Sequence, residues 1–148
     1  MAGAAIKIDI QDQQVLDAFN RLLHAVQDPE PAWRDIGEYL LISHRDRFDR
    51  QVDPEGRPWA PLSPQYRARK SRNRDIILVF NGYLRDLLRY QTSSTEFVFG
   101  TDRIYGATHQ FGDPDRNIPP RPFLGISDND RREILDIFND HLRAAWRA

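Results

Sequence analysis

Apolar residues recur along this chain with two different periods. Ile6, Ile8 and Ile10 alternate with Lys7 and Asp9, the period of two that marks a short strand with one buried face. From about Asp12 to Gln27 the period changes. Val15, Leu16, Phe19, Leu22, Leu23 and Val26 follow steps of three and four, which predicts an amphipathic helix. Asp28-Pro29 ends it, because a residue before proline is pushed out of the helical region. A second helix is predicted from Pro31, with Trp33, Ile36, Leu40, Leu41, His44 and Phe48 inward and Arg34, Asp35, Glu38, Arg45 and Asp46 outward. The short Asp-Pro-Glu-Pro connection predicts that the two helices pack as a hairpin.

Residues 51–65 hold four prolines and a glycine and read as a stiff loop pinned by Trp59 and Leu62. Ser63-Pro64 supplies an N-cap and first turn for a short basic helix through Lys70. The run Ile76–Phe80 fits either a strand or a buried helix, and Asn81-Gly82 marks a turn. Glu96–Thr101 alternates around Phe97 and Phe99 and reads as a strand, paired with one around Leu84–Thr92 through a Ser93-Ser94 turn. Gln110–Arg121 is loop-like, and Pro122–Gly125 fits a short edge strand. A last helix starts near Ser127, with Asp130 three residues on as an imperfect capping box and Ile134, Leu135, Ile137, Phe138, Leu142 and Trp146 as its stripe. Segregated helices and strands predict an α+β fold. Two N-terminal helices and a C-terminal helix pack on a small, mostly antiparallel sheet with long proline-rich loops.

The 148 residues, 40% of them apolar, fit one domain over 1–148 with a single core. The chain has no cysteine, which removes disulfides, thiolate metal cages and cysteine nucleophiles. No secretory leader or run of about 20 apolar residues appears, which points to a soluble protein made inside a cell and no membrane partner. The 21 basic and 22 acidic residues leave a net charge of −1, too little for long-range steering toward DNA. Five cations nevertheless crowd one stretch: Arg67, Arg69, Lys70, Arg72 and Arg74. They are candidate phosphate contacts, each adding about −0.9 to the salt slope of duplex binding. The plainer reading is a solvated face or an interface with acidic neighbours.

No catalytic assembly emerges. His44 lies in Ser-His-Arg-Asp, but the other kinase motifs are missing, and helical spacing makes it a core histidine. His109 has Asp113 and Asp115 nearby, yet a zinc site needs three or four converging ligands. No Gly-x-Ser-x-Gly occurs. Asp136 and Asp140, beside Arg132 and Arg143, are ordinary helix charge patterning. The expectation is a protein that is not an enzyme and needs no cofactor or metal.

One set of separated motifs is more specific. Asp53-Pro-Glu-Gly-Arg-Pro-Trp-Ala-Pro-Leu-Ser63 precedes Arg69-Lys70, then come Asn81-Gly82-Tyr-Leu84, Phe99-Gly-Thr101, Tyr105, His109-Gln-Phe-Gly112 and Ile118-Pro-Pro-Arg-Pro-Phe-Leu-Gly-Ile-Ser127. In this order they resemble the phage virion morphogenesis family, the tail-completion proteins of Mu-like phages, across about residues 30 to 145. Gly106 and Pro120 depart from the family pattern, where alanine is usual at both. The resemblance implies a structural protein of the virion tail or neck, assembled in the bacterial cytoplasm. It would act in tail completion and head–tail joining as a ring, hexameric to match the tail tube. Implied partners are further copies, neck, tail terminator, tail tube or head connector proteins, and DNA in the channel.

The physical reading fits that role. Proline-stiffened loops lose little freedom on docking, and aromatic residues dominate interface energetics. Trp59 with Pro61 and Leu62, His109 with Phe111, and Phe123 are the candidate interface residues, on two loop regions that would meet head to tail. The alternative for Trp59 and Phe123 is that they fold back on their own core. A second function class is a nucleic-acid-binding module using residues 67–74.

Overall fold

A computed structural model describes residues 4–7, 13–80, 82–92 and 97–147. Three strands form an antiparallel sheet in the order β1-β3-β2, where β1 is Ala4–Lys7, β2 is Arg89–Thr92 and β3 is Phe97–Thr101. In register, β3 places Phe99 opposite Ile6 of β1 and Tyr90 of β2. Alternation turns Phe97 and Phe99 into the core, where both are buried. Three long helices cover that side: α1 (Gln13–Ala25), α2 (Glu30–Arg50) and α6 (Asp128–Arg147). Short helices fill the connections: α3 (Pro64–Arg69), α4 (Tyr83–Asp86), α5 (Tyr105–Phe111) and a 3₁₀ turn, Pro114–Arg116. This is the α+β arrangement of three helices on a small antiparallel sheet.

The centre of the core is aromatic. Phe19 of α1, Trp33 of α2 and Phe138 of α6 meet with centroids 5.1 to 5.8 Å apart, and Trp33 stacks on Phe97 at 5.4 Å. Burying each such ring contributes about 1.5–3 kcal/mol, so this junction joins helices and sheet. Ser63 caps α3, its Oγ accepting from the Tyr66 N–H at 3.2 Å, as Ser63-Pro64 predicted. Ser127 and Asp130 complete a reciprocal capping box, each side chain accepting the other's backbone N–H at 3.0 Å.

Several expectations need correcting. The first two helices do not form the packed hairpin: α1 lies along α6, and it meets α2 through Phe19 on Trp33. Ile76–Phe80 is neither strand nor helix but a run of turns, with Leu78 in the left-handed region at φ 62°. The Lys70 ammonium, the Asn73 side-chain amide nitrogen and the Gln51 side-chain amide oxygen satisfy its backbone at Ile76, Phe80 and Ile77. Leu84 belongs to α4, so β2 starts only at Arg89. Residues 110–121 are not all loop, since α5 runs through Phe111. Pro122–Gly125 joins no strand. Trp146 leaves the α6 stripe for solvent at 71% exposure, and Leu23 is 40% exposed. Ile8, Ile10, Asp12, Asn81, Glu96 and the Ser93-Ser94 turn lie outside the described residues, as do the side chains of Val15 and Leu16.

Candidate functional site

The irregular string from Arg121 to Gly125 is bonded by side chains from three other segments. Gln110 of α5 takes the place of a neighbouring strand. Its amide oxygen accepts from Phe123 N and Leu124 N at 3.0 and 2.9 Å, and its amide nitrogen donates to Leu124 O at 3.0 Å. Trp59 Nε1 donates to Pro122 O at 2.7 Å, and Arg121 N donates to His109 O at 2.7 Å. The Arg121 guanidinium reaches the other way, to Ala60 O and Pro61 O at 2.7 and 2.9 Å. The third side-chain anchor is Arg47 of α2, which donates to Phe123 O and Gly125 O at 3.2 and 2.8 Å. A buried string needs its polar backbone paired, and here side chains do what an adjacent strand would.

Arg47 also forms a buried ion pair with Asp130 of α6, both side chains at most 3% exposed. Tyr39 and Ser43 donate to the same carboxylate at 2.8 and 2.6 Å. Burial alone would raise the Asp130 pKa, but hydrogen bonds from Ser127, Ser43 and Tyr39 and the Arg47 charge hold it below the ordinary 3.8. Tyr39 is pushed up to about 12 by burial and by that carboxylate. His44 completes the cluster. Its Nδ1 lies 2.8 Å from Leu40 O and its Nε2 3.1 Å from the Arg47 guanidinium. Nδ1 therefore carries the proton and Nε2 accepts, so the ring is neutral. Burial first and the Arg47 charge second lower its pKa to about 3. It is a core histidine, and Arg45 and Asp46 beside it are exposed.

The loop 51–65 is built just as tightly. Asp53 accepts from Glu55 N and Arg57 N at 2.9 and 2.8 Å, Gly56 turns the chain at φ 84°, and a bridge joins Val52 to Pro58. Trp59 then points inward against Phe48, with centroids 5.3 Å apart. Gly112 ends α5 at φ 77°, where a Cβ would stand 2.8 Å from Pro120 N and 2.9 Å from Ile118 O. Only glycine fits there.

These anchored segments wall a groove of about 760 Å³, bounded by residues 61–70, 78–80, 82–84, 105–109 and 116–121. Tyr66, Phe80, Tyr83 and Tyr105 line it and are each 42 to 51% exposed. Arg69, Lys70, Arg116 and Arg121 line it too, and among the described residues no carboxylate does. Lys70 is buried, its ammonium donating to Asn73 O and Ile76 O at 2.8 and 2.6 Å. Burial accordingly lowers its pKa. His109 sits half-buried on the wall. Burial, then Arg121 and Arg116, keep it neutral by lowering its pKa. Asp113 pairs with Arg116 at 2.6 Å, so the histidine faces cations rather than the carboxylates a metal would need.

The candidate interface residues therefore divide. Trp59 and Phe123 are 5% and 0% exposed and fold back on the chain's own core. Pro61, Leu62 and His109 line the groove, while Phe111 projects nearby at 73% exposure. The basic run is divided as well. Lys70 is internal, Arg67 pairs with Asp75, Arg74 donates to Lys70 O at 2.7 Å, Arg72 is exposed, and Arg69 faces the groove. No single phosphate-facing surface of five cations results. Sequence reasoning missed Arg47, Gln110 and Arg121; the Gln110 and Arg121 signals lay inside the motifs, whereas Arg47 carried none.

Comparison with known proteins extends over the same segments. The chain is 30% identical over 124 residues to the putative capsid assembly protein G of Escherichia phage Mu, covering 77% of this chain and 80% of that protein. It is 27% identical over 145 residues to the Mu-like prophage FluMu G protein 2 of Haemophilus influenzae, covering 93% and 96%. An uncharacterized protein of Methanocaldococcus jannaschii, MJ0331, is 25% identical over 96 residues, covering 61% and 71%. No solved structure matches. The profile of the phage virion morphogenesis family matches residues 10–143, a span that takes in the Arg47–Asp130 pair, the anchored string and every wall of the groove. With that match over most of its length, the chain belongs to the phage virion morphogenesis family, whose role is structural, in building the virion.

Proposed function

We propose that this chain is a structural subunit of a tailed-phage virion that completes the tail and joins it to the head at the neck. It does so as a ring, hexameric like the tail tube, and without enzymatic activity. The observation that carries this is the use made of the motif side chains. Gln110, Arg121 and Trp59 all bond backbone, which stiffens one aromatic and basic groove. A stiff, apolar and charged concavity is the chemistry of docking, where little ordering entropy remains to oppose association. The partners that suit this role are the head connector, tail terminator, tail tube and other neck proteins.

The test is to disrupt the gene in a phage or prophage that carries it and image the lysate. Filled heads and free tails should accumulate unjoined, and adding purified protein should restore joined, infectious particles. Joined particles without the protein would overturn the proposal. Missing heads would place the protein in head assembly, the step for which the phage Mu relative is named.

A further inference from the structure

The face of α2 opposite its buried side carries a second unusual surface. Asp35, Glu38, Ile42, Asp46 and Asp49 follow steps of three and four and are all exposed, so they form one stripe. Ile42 stands at its centre, 71% exposed, with two carboxylates on either side along the helix. The stripe runs about 21 Å. A single exposed isoleucine is ordinary; one framed by four acids is a knob with a charge code.

The groove has the complementary code among the described residues: four cations, no carboxylate and an aromatic floor. Two of its cations, Lys70 and Arg121, are 4% and 6% exposed and held by carbonyl oxygens. Buried charge held that way gains from an incoming anion. The stripe's own links lie near the surface: Asp46 to Arg50 at 2.8 Å, Asp35 to His141 at 2.6 Å, and Glu38 accepting from the Tyr90 hydroxyl at 2.7 Å. Such exposed pairs exchange easily for new partners.

We propose that the groove of one copy receives the acidic α2 stripe of the next, with Ile42 seated among the groove aromatics. Because groove and stripe are different surfaces, the contact is heterologous and propagates head to tail until it closes. This rests on the ring reading and names the surfaces that would make the ring.

Mixing single-surface variants of the full chain tests it. One variant inverts the groove charge (Arg69→Glu with Arg116→Glu), and the other removes stripe charge without inverting it (Asp46→Ala with Asp49→Ala), so the two altered surfaces do not complement each other. All four positions are exposed, and circular dichroism should show both variants folded. By mass photometry the wild type should reach a closed oligomer, and each variant alone should remain monomeric. An equimolar mixture should stop at a one-to-one heterodimer, since each partner keeps one working surface. Ile42→Ala should weaken wild-type assembly at least tenfold. If both variants assemble like the wild type, the groove–stripe contact is overturned while a ring remains. If the mixture stays monomeric, or the wild type stops at a dimer, the head-to-tail contact is overturned. A wild type that is monomeric at every concentration, and present singly in purified virions, defeats the ring reading itself.

Discussion

His44 makes folding sensitive to mild acid. In the folded chain the ring is buried and neutral, with its pKa lowered from 6.5 to about 3; in the unfolded chain it titrates normally. The unfolded state therefore binds the extra proton. The stability tied to a neutral His44 is complete above pH 6.5 and is lost as pH falls toward about 3. One proton taken up on unfolding costs about 1.4 kcal/mol per pH unit. Between pH 7.5 and about pH 4.5 the loss is roughly 2–3 kcal/mol, against the 5–15 kcal/mol typical of a domain. Urea unfolding at both pH values measures it. The control is His44→Gln, whose amide oxygen can accept from Arg47 but does not titrate. It lowers stability at both pH values, and its loss between them should be smaller than the wild type's by that same roughly 2–3 kcal/mol. His109 and the carboxylates are common to both proteins and cancel. If the two proteins lost the same amount, His44 would not be buried in the neutral form deduced here.

Asp130→Asn leaves Arg47 buried without its counter-charge and should cost about 3–5 kcal/mol, read as a drop in the urea midpoint at neutral pH. The wild-type contribution of Asp130 should persist above the ordinary 3.8 and fade as pH drops through its lower folded value. Trp59→Ala should cost about 3–5 kcal/mol, whereas Phe111→Ala should stay within about 0.5 kcal/mol; comparable thermal shifts would contradict the inward and outward positions of the two rings. If all five cations between Arg67 and Arg74 met duplex phosphates, the salt slope would approach roughly −4.5. With Lys70 buried and Arg67 paired, three cations remain and a gel-shift titration should give no slope steeper than about −2.7.

The parts of this fold legible in the sequence are those set by local periodicity. The stripes of α1, α2 and α6, the alternation of β3 and the Ser63 cap each depend on residues a few positions apart. What escaped was non-local. Arg47 and Asp130 lie 83 positions apart, and nothing near either one announces the other. The α1–α6 pairing overrode the hairpin because α2 turns its apolar face to the sheet and the anchored string, leaving the α1 stripe to α6. Five of the seven residues of α5, namely Tyr, Gly, Thr, His and Phe, are weak helix formers, so its helicity leans on its tertiary partners. In the candidate site, the motifs marked the segments that wall the groove, and left Trp59 and Phe123 either as interface anchors or as rings folded back on the core. Their burial shows that an aromatic residue in a proline loop can fasten the loop rather than be displayed by it.

That fastening joins stability to docking. The groove wall alternates short helices with irregular segments, and side-chain bonds from Trp59, Gln110, Arg121 and Arg47 fasten the irregular segments beside and behind it. A wall held at several independent points cannot relax around a lost anchor without moving its neighbours, because Arg121 belongs to the string and also grips the loop at Ala60 and Pro61. Substituting Gln110, which is only partly exposed, should therefore weaken partner binding through the groove's shape. Substituting Arg69 should weaken it through charge, without altering the fold. Interior and rim thus act on one surface by different physical routes, and salt separates them: raising ionic strength screens the Arg69 contribution and leaves the Gln110 contribution in place.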